Sequence, residues 1–141
     1  MKKTILLIAI IVLFTNCSKV DDNVDKQINY TTIIGNTYIT KQNLPYESRD
    51  AYRIYKMNTN GTISQEIRFD SPTGEIYQTM NGSYEYNHPS LELTIQHSID
   101  VCSNCFNYFT ANVRDDFKSF SYTIFDLPTG TNKELVFNIV E

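Results

Sequence analysis

The sequence predicts an all-β fold over residues 30–141, an antiparallel up-and-down meander of about eight strands closed into a small barrel. Three observations carry that expectation. Turn-forming clusters recur every 8–12 residues or so: Asn58-Thr59-Asn60-Gly61, Ser71-Pro72-Thr73-Gly74, Asn81-Gly82, Asn87-His88-Pro89-Ser90, Arg114-Asp115-Asp116 and Pro128-Thr129-Gly130-Thr131-Asn132. Gly and Asn tolerate positive φ and Pro pre-sets a corner, so each cluster marks a chain reversal with a mechanism. Between the clusters apolar and polar residues alternate with a period of two, which is the pattern of a strand wet on one face. No stretch repeats apolar residues at helical spacing over the ten or so positions a helix needs.

Taken in order, the first strand spans 35–41. The second, 50–58, is read with Tyr52 and Ile54 facing inward. The third, 62–69, sets Ile63, Ile67 and Phe69 against Ser64, Glu66 and Arg68. Segments 75–80 and 83–87 flank a turn at Asn81-Gly82, and the later one brings Tyr84 and Tyr86. In 91–99, Leu91, Leu93, Ile95 and His97 oppose Glu92, Thr94 and Gln96. Strand 107–114 carries Phe109, 118–126 carries Phe120, Tyr122 and Ile124, and 134–140 carries Leu135, Phe137 and Ile139. Closing the meander removes the exposed edges that invite aggregation. A two-sheet sandwich is the alternative, and it normally needs longer Greek-key crossings. A domain of about 110 residues buries roughly two-thirds of its unfolded surface, enough for one core.

Ile34-Gly35-Asn36-Thr37-Tyr38, Asn60-Gly61-Thr62, and Gly82-Ser83-Tyr84-Glu85-Tyr86 leading to Leu91-Glu92-Leu93 together resemble the lipocalin-like domain of small bacterial lipoproteins. The resemblance implies a calycin-type barrel over residues 30–141. It implies a fold and no particular activity.

The start of the chain is of another kind. Lys2 and Lys3 precede the apolar run from Ile5 to Phe14, the charged and greasy halves of an export signal over residues 1–16. A bilayer core is about 30 Å thick and needs about 20 apolar residues to cross, so this run is too short to span one. Leu13-Phe14-Thr15-Asn16-Cys17 resembles the lipobox of bacterial lipoproteins, which implies that Cys17 becomes the first mature residue and carries diacylglycerol and a fatty acyl chain. Each buried methylene contributes about 0.8 kcal/mol, so several chains anchor firmly where one is marginal. Residues 17–29 then form a polar, disordered tether. Asp21 and Asp22 after Lys19 resemble the surface-export signal of Bacteroidota lipoproteins. The expected location is the bacterial envelope, lipid-anchored at the outer membrane and facing the periplasm or the cell surface. Asp21-x-Asn23-x-Asp25 mimics the opening of a calcium loop, but Lys26 stands where Gly is required and Thr32 where the bidentate Glu should be, so the stretch reads as a solvated linker.

The whole chain carries 12 basic and 16 acidic residues. An acidic surface with no basic stripe argues against a nucleic-acid partner. With Cys17 acylated, two of the three cysteines remain, in Cys102-Ser103-Asn104-Cys105. A disulfide across this turn-forming pair is the leading reading in an oxidising compartment. A metal site shared with His97 and a thiol-redox centre are the alternatives; the latter wants a helix start to lower a thiol pKa.

A barrel of this kind uses its mouth and interior as a pocket. The candidate ligand-binding residues, by parity, are Tyr52, Ile54, Phe69 and Tyr84, then Tyr86, Leu93, His97 and Tyr122. Ile67, Ile95, Phe109 and Phe137 share their faces. The competing reading is that these side chains only fill the core. His97 sits in apolar parity, where a hydrogen-bonded core histidine outweighs a ligand or base, and His88 belongs to a turn. Asp115-Asp116 reads as a turn rather than a catalytic pair. No nucleophile triad, phosphate-cradling loop or metal cluster stands out, so neither catalysis nor a cofactor is expected. The expected function is binding of a small apolar or amphipathic molecule. An accessory or inhibitory module docking on an envelope protein comes next, favoured by the chain's 10 tyrosines, and a thiol-redox enzyme third.

Overall fold

The computed structural model describes residues 31–44, 48–97, 102, 104–127 and 129–141. The expected leader 1–16, Cys17 and the tether 17–29 lie outside them. The strands are β1 (Thr37–Asn43), β2 (Asp50–Met57), β3 (Thr62–Phe69), β4 (Ile76–Asn87), β5 (Ser90–Gln96), β6 (Phe106–Val113), β7 (Ser119–Asp126) and β8 (Thr131–Ile139). All neighbours are antiparallel, and the meander closes into a barrel in sequence order, β8 returning to β1. The all-β meander barrel read from the alternation is therefore the fold.

One predicted reversal does not occur. Asn81-Gly82 lies inside β4, which runs unbroken for 12 residues where two strands were expected. Gly82 is paired with Ile63 on one side and Ile95 on the other. A Cβ added there would stand 2.0 Å from the Thr94 carbonyl oxygen. The glycine serves a close backbone approach rather than a turn. Gly61, by contrast, does turn the chain between β2 and β3, with φ at +77° and its N–H donating to the Asn58 carbonyl.

The barrel has two ends. The base carries the β2–β3, β4–β5 and β6–β7 turns, and the mouth carries the connections that follow β1, β3, β5 and β7. The base is sealed. Ile33, Tyr38, Tyr55, Phe120 and Phe137 are fully buried there with Met57 and Val113. Phe120 and Phe137 stack at 4.8 Å between centroids, Tyr38 meets Phe120 edge-on at 5.1 Å, and Tyr55 tilts on Phe137 at 5.0 Å. Two phenols tie the base to its turns: Tyr38 donates to the Phe117 carbonyl at 2.7 Å and Tyr84 to the Asn58 carbonyl at 2.6 Å.

Strand pairing weakens toward the mouth. The β7–β8 hairpin is paired along its whole length, from Ser119↔Asn138 to Asp126↔Thr131. It joins the rest of the wall only near the base, through Asn112↔Ser121 and Val113↔Phe120 on one side and Tyr38↔Ile139 and Ile39↔Asn138 on the other. Above those pairs the seam between β6 and β7 is closed by side chains, Phe109 lying stacked on Tyr122 at 4.6 Å.

Candidate functional site: the barrel mouth

Above the aromatic base the inward-facing residues change character. A cleft of about 280 Å³ opens into the barrel, bordered by Arg53, Gln65, Gln78, His97 and Asn107 and walled by Ile67, Met80, Phe109 and Ile124. Larger hollows of about 520 and 490 Å³ lie at the Asp115 turn and along the β6–β7 seam. Among the described residues this cleft holds a charge that enters no ion pair.

That charge is Arg53. Its Nη1 donates to the Tyr122 hydroxyl at 3.0 Å, and Tyr122 shares a 3.0 Å hydrogen bond with the Tyr55 hydroxyl. Its Nε is sealed from solvent with no partner. Burial opposes the charge, yet the Tyr122 and Tyr55 oxygens more than offset it and the guanidinium pKa is raised. Burial pushes the Tyr55 phenol well above its ordinary value, with Tyr122 adding to the effect. The Tyr55 phenol is therefore neutral near neutral pH, and the cation rests among hydroxyl groups rather than on a carboxylate. Leaving a buried ion without a counter-charge is costly. Two other arginines meet carboxylates: Arg49 pairs with Asp70 and Glu75, and Arg68 with Glu66, outside the barrel interior. Among the described residues Arg53 enters no ion pair.

The sequence-selected residues divide. His97 borders the cleft, its Nε2 3.0 Å from Asn107 Oδ1, half-buried rather than in the core. Tyr122 reaches the cleft through Arg53. Phe69 faces inward near the mouth, its ring against Tyr77 at 4.9 Å and under the Arg49 guanidinium at 4.3 Å. Leu93 lies in the core, and Tyr84 and Tyr86 belong to the base, Tyr86 bonding His88 Nδ1 at 2.9 Å.

Tyr52 and Ile54 are a correction. β2 turns Ala51, Arg53, Tyr55 and Met57 inward, so Tyr52 and Ile54 stand on the outer face. Ile54 is buried there in a hollow lined also by Ile39, Pro72 and Thr73. Both faces of β2 hold apolar residues, and the alternation of the isolated strand does not choose between them. Arg53, Gln65, Gln78 and Asn107 escaped the sequence reading. The signal for Gln65 was present, a polar residue in the inward row of Ile63, Ile67 and Phe69.

Cys102 and Cys105 form a disulfide with Cα atoms 5.4 Å apart. It closes the β5–β6 connection beside the mouth, where the His97 N–H donates to the Cys105 carbonyl at 2.8 Å. Asp115 and Asp116 lie in the β6–β7 turn, Asp115 Oδ1 3.1 Å from His88 Nε2.

No family model, curated protein or solved structure matches the chain. The arrangement itself is the guide: a barrel blind at one end, and at the other a cleft lined by neutral amides, His97 and one cation beside the apolar Ile67, Met80, Phe109 and Ile124.

Proposed function

We propose that this chain is a lipid-anchored extracytoplasmic binding protein of the bacterial outer membrane, a lipocalin-like barrel that holds a small amphipathic molecule at its mouth without transforming it. The observation that carries the reading is the contrast within one barrel between a base filled by rings and a mouth that is left open. Ligand sites are concave and carry placed polar groups that orient the ligand; at about 280 Å³ this cleft falls just below their usual span of about 300–1,000 Å³, and its lining is more polar than most. The anchor reading rests on the lipobox-like segment ending in Cys17.

Native mass spectrometry of the protein gently released from its membrane tests both parts. The expected spectrum shows an acylated Cys17 at the N-terminus and an adduct of small mass on the folded barrel. An unmodified Cys17 thiol removes the anchor, and a barrel free of adducts under every gentle condition removes the binding role.

A second reading, docking on another envelope protein, is favoured by apolar side chains on the outer side of the mouth-proximal wall. Tyr108 and Leu127 are 74% and 76% exposed, with Phe106 and Phe125 also solvent-facing. Aromatic residues of that kind are enriched at interaction surfaces. Co-release of a stoichiometric protein, without a small adduct, supports this reading over the first.

A further inference from the structure

Resting on the binding role above, we propose that the ligand carries a single carboxylate, received by Arg53 at the floor of the mouth cleft, with an apolar body lying along Ile67, Met80 and Ile124. Arg53 is the one charge brought into the cleft wall, and the described residues supply no counter-ion for it. A guanidinium offers its donors as a planar fork that matches the two oxygens of a carboxylate. One nitrogen, Nη1, is held by Tyr122, and Nε is left without an acceptor. Arg53 already lines the cleft, so a carboxylate entering there supplies the acceptor that Nε lacks once the packing that now seals this nitrogen yields.

The neighbours fit the same chemistry. Gln65, Gln78 and Asn107 are neutral amides able to donate to a carboxylate oxygen, and none brings a second charge. With His97 Nε2 donating to Asn107 Oδ1, the Asn107 amide nitrogen keeps its protons for another acceptor. One cation with neutral helpers balances one negative charge. A phosphate dianion would bring a second negative charge for which the described cleft residues hold no second fixed cation.

The test uses the full-length chain in nanodiscs, with empty nanodiscs as the blank, and three probes of one chain length: octanoate, octan-1-ol and octyl phosphate. Calorimetric titration is expected to show octanoate binding about 10-fold or more tightly than octan-1-ol, the scale of one charge-assisted contact. The Arg53 Nε–H resonance should move with octanoate and stay with octan-1-ol. Arg53→Met should abolish the preference for octanoate over octan-1-ol. Arg53→Lys should restore part of the preference, and it serves if the Met variant fails to fold. Equal binding of octanoate and octan-1-ol with Arg53 unmoved overturns the carboxylate site and leaves the binding role standing. Preference for octyl phosphate overturns the carboxylate assignment. Binding of none of the three overturns the inference together with the role on which it rests.

Discussion

At the base of the barrel Tyr38, Tyr55, Phe120 and Phe137 fill the interior with rings 4.8 to 5.1 Å apart, whereas at the mouth the same wall turns Arg53, Gln65 and Gln78 inward around a cleft. The two regions also differ in how the wall is held. Near the base every strand is paired to its neighbours, and toward the mouth the β7–β8 hairpin parts from β6 and β1. The large stacked rings are gathered at the base, and the mouth carries fewer of them. A small barrel filled along its whole length would have no void. Concentrating the large side chains at one end is what leaves space at the other.

The comparison breaks most visibly if the base proves not to dominate folding. Phe120→Ala removes a ring packed on Tyr38, Tyr55 and Phe137, and it should cost about 3–5 kcal/mol in urea denaturation. A loss below about 1 kcal/mol would place the stabilising core elsewhere.

The mouth should answer far more weakly. Arg53→Met removes the bond to Tyr122 together with the cost of holding a cation away from water, and the ligand-free protein should change by less than about 1 kcal/mol either way. A loss of about 3 kcal/mol or more would mean that Arg53 supports the fold rather than a ligand.

The smallest effect concerns the outer wall. Burial raises the Glu66 pKa, but Arg68 and Lys56 outweigh it and hold the carboxyl below its ordinary value. A lowered folded-state pKa contributes stability that is present above the unfolded value and is lost as pH falls through the folded one. Glu66→Gln should therefore cost about 0.5–1 kcal/mol at neutral pH and flatten the acid limb of the stability profile. An acid limb identical to that of the parent would remove this pair from the balance.

Much of the fold was legible before any coordinates. The inward rows of β3, β5, β7 and β8 alternate cleanly and are buried from Ile63 and Ile67 to Leu135 and Phe137, with His97, Ile124 and Ile139 at the row ends half-buried. Turns at Asn58–Gly61 and Arg114–Lys118 stand where Gly, Asn and Asp mark them. The site was less legible. His97 and Tyr122 are among the pocket candidates that parity selects, His97 being read first as a core histidine, but Arg53 is hidden, because parity puts its strand on the wrong face. An arginine within a strand reads as a wet residue unless its neighbours are known.

What the sequence by itself determined is the period of two, the order of the strands and which side chains are oily enough to be enclosed. These are local properties, written residue by residue in the alternation. Only the tertiary structure decided which face of β2 looks inward, because the 71–74 turn folds over Ile54 and covers an apolar face from outside. It also decided that Gly82 admits a neighbouring strand rather than a reversal, and that Arg53 is enclosed with hydroxyls and no carboxylate. Each of these depends on which surface comes to lie against another, and alternation along a single strand carries no record of that.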